Sequence, residues 1–294
     1  MSILERVAVL GASGWVGRTA CSWLTELDTQ VLAIASSNRV EQVGSMQIKC
    51  QTFDLARLKE FKPTTVIDAA FITRERLESF SLENYVSSNE KLIEQALKAQ
   101  SLPSVEKFIG VSSGASVPHL NEEKPDLSLD PYGILKSRYE NRLIENSELR
   151  LKTTIARIWS VSGDLVTKPT LFAFSNLILQ AMTGHIDINS SRKVFRRYVD
   201  LQDFIKVVCF SRPGPSRVID SGGRLVEIYD LANLIFYQLG LPPSVGRYLE
   251  SEYESDSYHS DDSTWQASIE EINYIPLTLE EQIASVARAF GFKS

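Results

Sequence analysis

The sequence has little of what builds metal centres and disulfide frameworks: three cysteines and three histidines in 294 residues. Cys21, Cys50 and Cys209 are far apart and form no close pair, which argues against a thiolate metal motif or a disulfide scaffold and points to a reducing compartment. His119, His185 and His259 are equally scattered, with no ligand or carboxylate-partner spacing, so no metal is expected. Positive charge is scarce as well. With 31 Lys+Arg against 37 Asp+Glu the formal net charge is −6, a balance that offers no broad face to a phosphate backbone or an anionic membrane. Nucleic acid and membrane are therefore not expected as partners, and an anionic ligand has to be met by a local group of arginines. Long apolar runs are missing too: the longest, 171–182, is interrupted by Ser175 and Asn176 and is too short to span a bilayer. The first ten residues carry Glu5 and Arg6 and no small-residue cleavage pattern, so the expectation is a mature, soluble, cytoplasmic protein. No nucleophile-elbow pattern supports hydrolysis.

What is present is a hydrophobic fraction of 43%, enough for a proper core, in a length that suits one large or two small domains. Apolar, β-branched runs at 6–10, 30–35, 46–51, 65–70, 107–113 and 151–159 read as strands, and helical periodicity fills 15–27, 82–99 and 132–146. Strands alternating with helices of this length predict an α/β fold with a doubly wound parallel sheet. That sheet is expected over 1–164, followed by a smaller α/β domain over 165–294, some of whose segments return to the first. In the second half a helix at 171–182, a strand near 185–188, a basic segment at 191–198, a strand-turn-helix at 217–239 and a final helix at 279–290 are expected. The acidic, serine-rich stretch 251–262 reads as an exposed loop.

Val7-Ala8-Val9-Leu10 runs directly into Gly11-Ala12-Ser13-Gly14-Trp15-Val16-Gly17, with an amphipathic helix behind it. Three glycines so spaced between a first strand and a first helix let the backbone turn, approach a pyrophosphate and pack the helix on the sheet. This is the dinucleotide-binding arrangement. Where such folds place a carboxylate for the adenosine ribose, this chain reads Ser36-Ser37-Asn38-Arg39, two hydroxyls and an arginine with no carboxylate to repel a 2′-phosphate. NADP(H) is thus expected over NAD(H), with Arg18 a rival to Arg39 for the phosphate.

Asp130-Pro131-Tyr132-Gly133-Ile134-Leu135-Lys136 opens a helix, and the spacing of four puts Tyr132 and Lys136 on one face. A phenol beside an ammonium and a nicotinamide cation is a feasible base or acid near neutrality. Upstream, the strand 107–113 ends in Ser112-Ser113, where a hydroxyl can polarise a reacting oxygen, Ser113 being better placed than Ser112.

With these residues in view the chain resembles the extended short-chain dehydrogenase/reductase family, the NAD(P)-dependent nucleotide-sugar epimerases, dehydratases and reductases with a Rossmann domain. Phe53-Asp54-Leu55 is similar to the family's adenine-contacting segment, with Asp54 and Leu55 as the contacts, and Val66-Ile67-Asp68-Ala69-Ala70 to its fourth strand. The resemblance implies that Ala69, Ala70 and Phe71 line the cofactor, with Phe71 where the family carries a small residue. It implies substrate contacts at Ser160, where the family has Asn, and at Arg196, the first arginine of Arg196-Arg197-Tyr198-Val199-Asp200, which grips a nucleotide diphosphate. Arg192 and Arg197 are weaker candidates for that role. The 4,6-dehydratase branch has Asp-Glu after its catalytic hydroxyl, whereas Gly114-Ala115 stands here, so water elimination is not expected. The resemblance implies a homodimer acting on a nucleotide-diphosphate sugar. The expectation is an NADPH-dependent reductase of a nucleotide-activated keto-deoxysugar, at carbon 4. An epimerase with retained cofactor and a non-catalytic cofactor-binding scaffold are the alternatives.

Overall fold

Four of the five residues of β1 (Arg6–Leu10) are buried, as a strand covered on both faces requires, and this is why its apolar residues run on instead of alternating. The computed structural model describes residues 4–44, 46–147, 152–211, 217–250 and 254–293. From β1 the chain passes through α1 (Trp15–Glu26), β2 (Gln30–Ile34), β3 (Arg39–Val43), β4 (Met46–Cys50), α2 (Leu55–Phe61) and β5 (Thr65–Asp68). It continues through α3 (Leu82–Gln100), β6 (Lys107–Ser113), α4 (Pro131–Glu145) and β7 (Lys152–Ile158). The central sheet has six strands in the order β2-β1-β5-β6-β7, closed by the strand Arg217–Asp220. β1 pairs in parallel with both β2 and β5, the crossover pattern of a doubly wound sheet. Its core includes Ala8, Val66, Phe108, Ile155 and, from the helices, Ile93, Tyr139 and Leu143.

One expected central strand is placed differently. Residues 46–51 do not add a full strand to the sheet: β4 folds back on β3 as an antiparallel hairpin, Arg39 opposite Cys50 and Val43 opposite Met46, with Gly44 at φ +57° beside the turn. Gln51, just past β4, joins the sheet through one parallel bridge to Ile34. The cause is the alternation in Met46-Gln47-Ile48-Lys49-Cys50, whose Ile48 and Cys50 are buried while Gln47 and Lys49 are exposed, which suits a half-exposed ribbon and not a strand buried on both faces.

The remaining elements are β8 (Val161–Ser162), α5 (Ala173–Met182), β9 (Ile186–Ile188), β10 (Val194–Asp200), α6 (Leu201–Phe210), β11 (Arg217–Asp220, the closing strand above) and β12 (Arg224–Glu227). After them come α7 (Ile228–Gln238), β13 (Val245–Arg247), β14 (Asp256–Ser257), α8 (Ser263–Ile272) and α9 (Leu279–Ala289). The chain divides into two compact units, Met1–Ile158 with Val208–Ile219, and Trp159–Val207 with Asp220–Ser294. In the second unit the basic segment around 191–198 is the middle strand of a small sheet, β10 lying between β12 and β14 and also pairing with β8. α5, α7 and α9 bury Phe174, Ile178, Leu231, Ile235, Ile283 and Val286 together with Tyr198 of β10. α9 starts in a capping box, Thr278 and Glu281 satisfying each other's backbone amides.

The loop expected at 251–262 is corrected within its described part, 254–262. β14 joins β10 with Val194 opposite Asp256, and Ser260 is buried because its hydroxyl donates to Ser221 O at 2.9 Å. Residues 251–253 lie outside the described residues. Among the described residues no helix is long and apolar enough to cross a membrane.

Candidate active site

The glycine loop separates two kinds of need for glycine. At Gly11, φ is +76° and a Cβ would stand 2.6 Å from the Ala69 carbonyl, while at Gly17 a Cβ would collide with Gly11 O, so the fold itself demands both. At exposed Gly14 a Cβ would meet nothing nearer than Gly11 O at 3.5 Å, with φ at an ordinary −78°. The protein tolerates a side chain there. Gly14 is also the N-cap of α1, and it is at a helix N-terminus that the backbone dipole favours an anion. The residues therefore fit a dinucleotide pyrophosphate. Ser13 and Val16 flank Gly14 half-buried and Trp15 is buried.

At the carboxyl end of β2, Ser36 and Ser37 are exposed and Asn38 accepts the Thr52 amide at 2.8 Å. The absence of a carboxylate there, read from the sequence, is corrected by the hairpin. Glu41 pairs with Arg39 at 2.6 Å and with Arg18 at 2.9 Å, and Arg18 also donates to Gln42 O at 2.8 Å. Asp54 caps α2, accepting the Ala56 amide at 2.9 Å, and Leu55 packs against the core below.

The helix that carries Tyr132 and Lys136, α4, begins where the sequence places it, because Asp130 accepts the Gly133 amide at 3.1 Å and Pro131 occupies the first turn. Gly133 is glycine for packing: a Cβ would strike Ala115 O and the Asp130 carboxylate. Lys136 is buried, donates to Val111 O at 2.8 Å and stands 3.9 Å from the centroid of the Phe71 ring. The edge-on Phe71 ring is also 5.8 Å from that of Tyr132, so one aromatic side chain touches both members of the pair. Arg74 lies 5.6 Å over Tyr132 and is tied to Asp130 at 2.9 Å. Burial pushes Lys136 down to about 8 against the pull of Asp68 and Glu140, and pushes Asp68 up to about 6 against the Tyr139 hydrogen bond, the Ala70 amide and Lys136.

The two serines have different surroundings. Ser112 Oγ donates to the buried Glu140 carboxylate at 2.5 Å, and Arg157 donates to both oxygens of that carboxylate at 3.1 Å from Nε and to one at 2.7 Å from Nη2. Ser112, the second candidate hydroxyl, is thereby tied into a buried ionic cluster. Ser113 Oγ accepts the Ala115 amide at 3.3 Å, a long bond that caps the following turn. His119 also differs from its reading as a histidine without partners. It lies 2.6 Å from Glu122 and 3.2 Å from Asp130; burial opposes its charge, but the two carboxylates outweigh burial and raise its pKa.

In the second unit, Arg196 forms a two-pronged pair with Asp256 at 3.1 and 3.2 Å and lies 5.6 Å over Tyr258, whose ring packs on Trp159 with centroids 4.9 Å apart. Ser160, half-buried, follows that tryptophan, whose indole N–H donates to Asp220 at 2.6 Å. Arg197 turns to Gly223 O at 2.8 Å and Ser260 O at 3.2 Å and holds the fold, whereas Arg192 is exposed.

Sequence reading missed Glu140, Tyr139, Asp68, Glu41, Arg74 and Asp256. Glu140 and Tyr139 were within reach, since they follow Lys136 by four and three residues on the same helix face, and Glu41 follows Arg39 by two on one face of a strand. Arg74 and Asp256 meet their partners only through tertiary pairing.

A family model described as the NAD dependent epimerase/dehydratase family matches residues 7–216. No curated protein matches the chain. Among solved structures it is similar to UDP-glucose 4-epimerase from Brucella ovis in complex with NAD, at 18% identity, covering 98% of this chain and 99% of that one with a TM-score of 0.72. It is similar to MoeE5 in complex with UDP-glucose and NAD, at 18% identity and the same coverage, TM-score 0.70. It is similar as well to TunA, an NAD-dependent NDP-hexosamine 5,6-dehydratase, at 14% identity over 99% of both chains, TM-score 0.71. At these identities the likeness is one of fold.

Proposed function

The chain belongs to the NAD dependent epimerase/dehydratase family, an extended short-chain dehydrogenase/reductase enzyme, and on that premise we propose that it reduces a keto group, at carbon 4, of a nucleotide-activated deoxysugar with NADPH. The observation that carries the proposal is the buried Lys136 one helical turn from Tyr132, behind a glycine loop whose Gly14 the protein itself does not require. The nicotinamide supplies the hydride when it is bound. Tyr132 delivers the proton to the sugar oxygen, and Lys136 favours the phenolate that remains. Ser113 donates a hydrogen bond to the same oxygen and so favours the charge that develops on it. Gly11, Ser13, Gly14, Trp15, Val16 and Gly17 form the pyrophosphate turn, with Ala69, Ala70 and Phe71 along the cofactor and Asp54 and Leu55 at the adenine. Ser36, Ser37, Asn38 and Arg39 face the adenosine ribose and its phosphate. Arg196 takes the diphosphate of the sugar nucleotide and Ser160 contacts the sugar. A dimer formed through helices of the first unit belongs to the same proposal, as does a cytoplasmic location.

Gly114-Ala115 after the serine supports reduction over elimination, because an acid and a base for loss of water are missing at those two positions. One observation favours a second reading, an epimerase with retained NAD: the Glu41 carboxylate engages both arginines available to a 2′-phosphate. Incubation with a panel of nucleotide-activated 4-keto sugars separates the two. Loss of one NADPH per sugar, with product two mass units heavier, is expected. Interconversion of sugars without added cofactor, by protein that co-purifies with NAD, would establish the epimerase instead. Tyr132→Phe is expected to lower turnover by about 10²- to 10⁴-fold; turnover at the wild-type rate in that variant would remove the mechanism.

A further inference from the structure

A buried polar chain lies behind Lys136 that neither the glycine loop nor the catalytic pair explains. Asp68 ends β5, is 2% exposed, and accepts the Tyr139 hydroxyl at 2.5 Å on one oxygen and the Ala70 amide at 3.0 Å on the other. Tyr139 reaches it because α4 sits directly on β6 at Gly110, where a Cβ would strike Leu143 and crowd the Tyr139 hydroxyl. The Tyr139 ring is in turn 5.3 Å from the Lys136 ammonium. Two carboxylates pull on that ammonium, Asp68 from the sheet and Glu140 from its own helix. They are not equivalent. Glu140 is matched by Arg157 and by two serine hydroxyls, Ser112 and Ser116, so its charge is already balanced. Among the described residues no arginine is paired with Asp68, and Lys136 is the cation that favours its ionised form. The other groups facing Lys136 are the Val111 carbonyl and the Phe71 ring, and Tyr132 lies a turn away with Arg74 over it.

We propose that Asp68 is a positioning residue for the reaction, its buried carboxylate being the counter-charge that keeps Lys136 an ammonium, and that Tyr139 is the donor that keeps this carboxylate ionised. The inference rests on the proposed role of Lys136 beside Tyr132. Removing the carboxylate leaves a buried ammonium without a balancing charge, and such a group sheds its proton more easily. Removing the phenol hydroxyl makes Asp68 harder to ionise, so its influence on Lys136 is lost at a higher pH. With Asp68 pushed up to about 6 and Lys136 down to about 8, both charges coexist between those values, and activity is expected to be bell-shaped across them.

The test is a titration of Lys136 by NMR, in full-length protein labelled with ¹³C at the lysine Cε and assigned with Lys136→Arg. Asp68→Asn, which preserves shape, keeps one oxygen for the Ala70 amide and offers an N–H that the rotatable Tyr139 hydroxyl can accept, is expected to move the Lys136 midpoint down by one pH unit or more. Tyr139→Phe is expected to leave the Lys136 midpoint closer to wild type and to raise the acid-side inflection that Asp68 imposes on the same resonance. A Lys136 midpoint unchanged in a folded Asp68→Asn protein overturns the proposal, as does an acid-side inflection that survives Asp68→Asn. If Asp68→Asn does not fold, Tyr139→Phe decides alone, because an unmoved inflection there refutes the coupling. None of these readouts needs a substrate, so they stand apart from the failure of the proposed reaction, which the Tyr132→Phe assay reports.

Discussion

Arg39 donates to Glu41 across 2.6 Å, two residues along the same strand and on the same face. The contact places a carboxylate where the adenosine phosphate of NADPH would need the arginine free. Both partners are partly exposed, so the pair is worth only about 0.2–1 kcal/mol and a phosphate can displace it. Glu41→Gln is expected to tighten NADPH roughly two- to fivefold with NADH little changed, and Arg39→Ala to weaken NADPH about tenfold, a loss of about 1.4 kcal/mol. Dissociation constants for both cofactors, measured by fluorescence titration, check this; a Glu41→Gln protein with unaltered preference would place the phosphate elsewhere.

The glycine loop gives a cleaner separation. Gly14→Ala meets no protein atom closer than 3.5 Å and is expected to stay within about 1 kcal/mol of wild-type stability while losing at least tenfold in cofactor affinity. Gly11→Ala forces a side chain into a left-handed backbone against Ala69 and is expected to destabilise the fold itself. Urea melts run beside cofactor titrations distinguish the two.

The neighbouring arginines of β10 should part in the same way. Arg196→Ala is expected to weaken binding of uridine 5′-diphosphate about tenfold or more without lowering the melting temperature by more than a few degrees, since its partner Asp256 is itself partly exposed. Arg197→Ala removes a donor from two backbone carbonyls and is expected to lower stability more than affinity. Calorimetric titration together with thermal melts decides, and equal losses of affinity in both variants would count against Arg196 as the diphosphate ligand.

Glu140 is 1% exposed and gathers Arg157 with two serines, so its truncation removes a buried carboxylate that balances a guanidinium. Glu140→Ala is expected to cost about 3–5 kcal/mol, and Glu140→Gln less, because the amide oxygen still accepts a hydrogen bond. Chemical denaturation gives both numbers. A Glu140→Ala protein as stable as wild type would mean that water reaches the cluster.

Stability should also fall as the solution becomes less acidic. Burial pushes Asp200 up to about 7, with Asp203 adding to the shift, whereas an aspartate in an unfolded chain titrates near 3.9. The folded state therefore binds the proton more tightly, and stability declines as pH rises from about 4 to about 7 and levels off beyond. Asp68, pushed up to about 6, adds to the decline in the lower part of that range; His119, whose pKa is raised, adds a loss above about 6.5. Asp200→Asn keeps an acceptor for the Gln202 and Asp203 amides and is expected to flatten the slope between pH 5 and 7. Identical slopes in the two proteins would show that Asp200 is ionised throughout.

Much of the scaffold was legible because it is local. β1 and β6 begin and end where their apolar runs do, and α4 starts at the Asp130-Pro131 signal that caps any helix. The third strand was misread because a five-residue apolar-polar run fits a buried strand or a ribbon equally well until its partner is known, and here the partner was β3. Asp256 and Tyr258 were hidden inside an acidic, serine-rich stretch whose composition resembles a loop; the open edge of β10 turned it into a strand.

The amino-acid order alone determined the glycine turn, the helix that carries Tyr132 and Lys136, and the parallel architecture beneath them, since each depends on spacing within a few residues and on backbone sterics. Which charges balance which was decided only by the fold. Asp68 and Tyr139 are 71 residues apart and Arg18 and Glu41 are 23 apart, and a buried ion settles its protonation by whatever the packed interior brings alongside it.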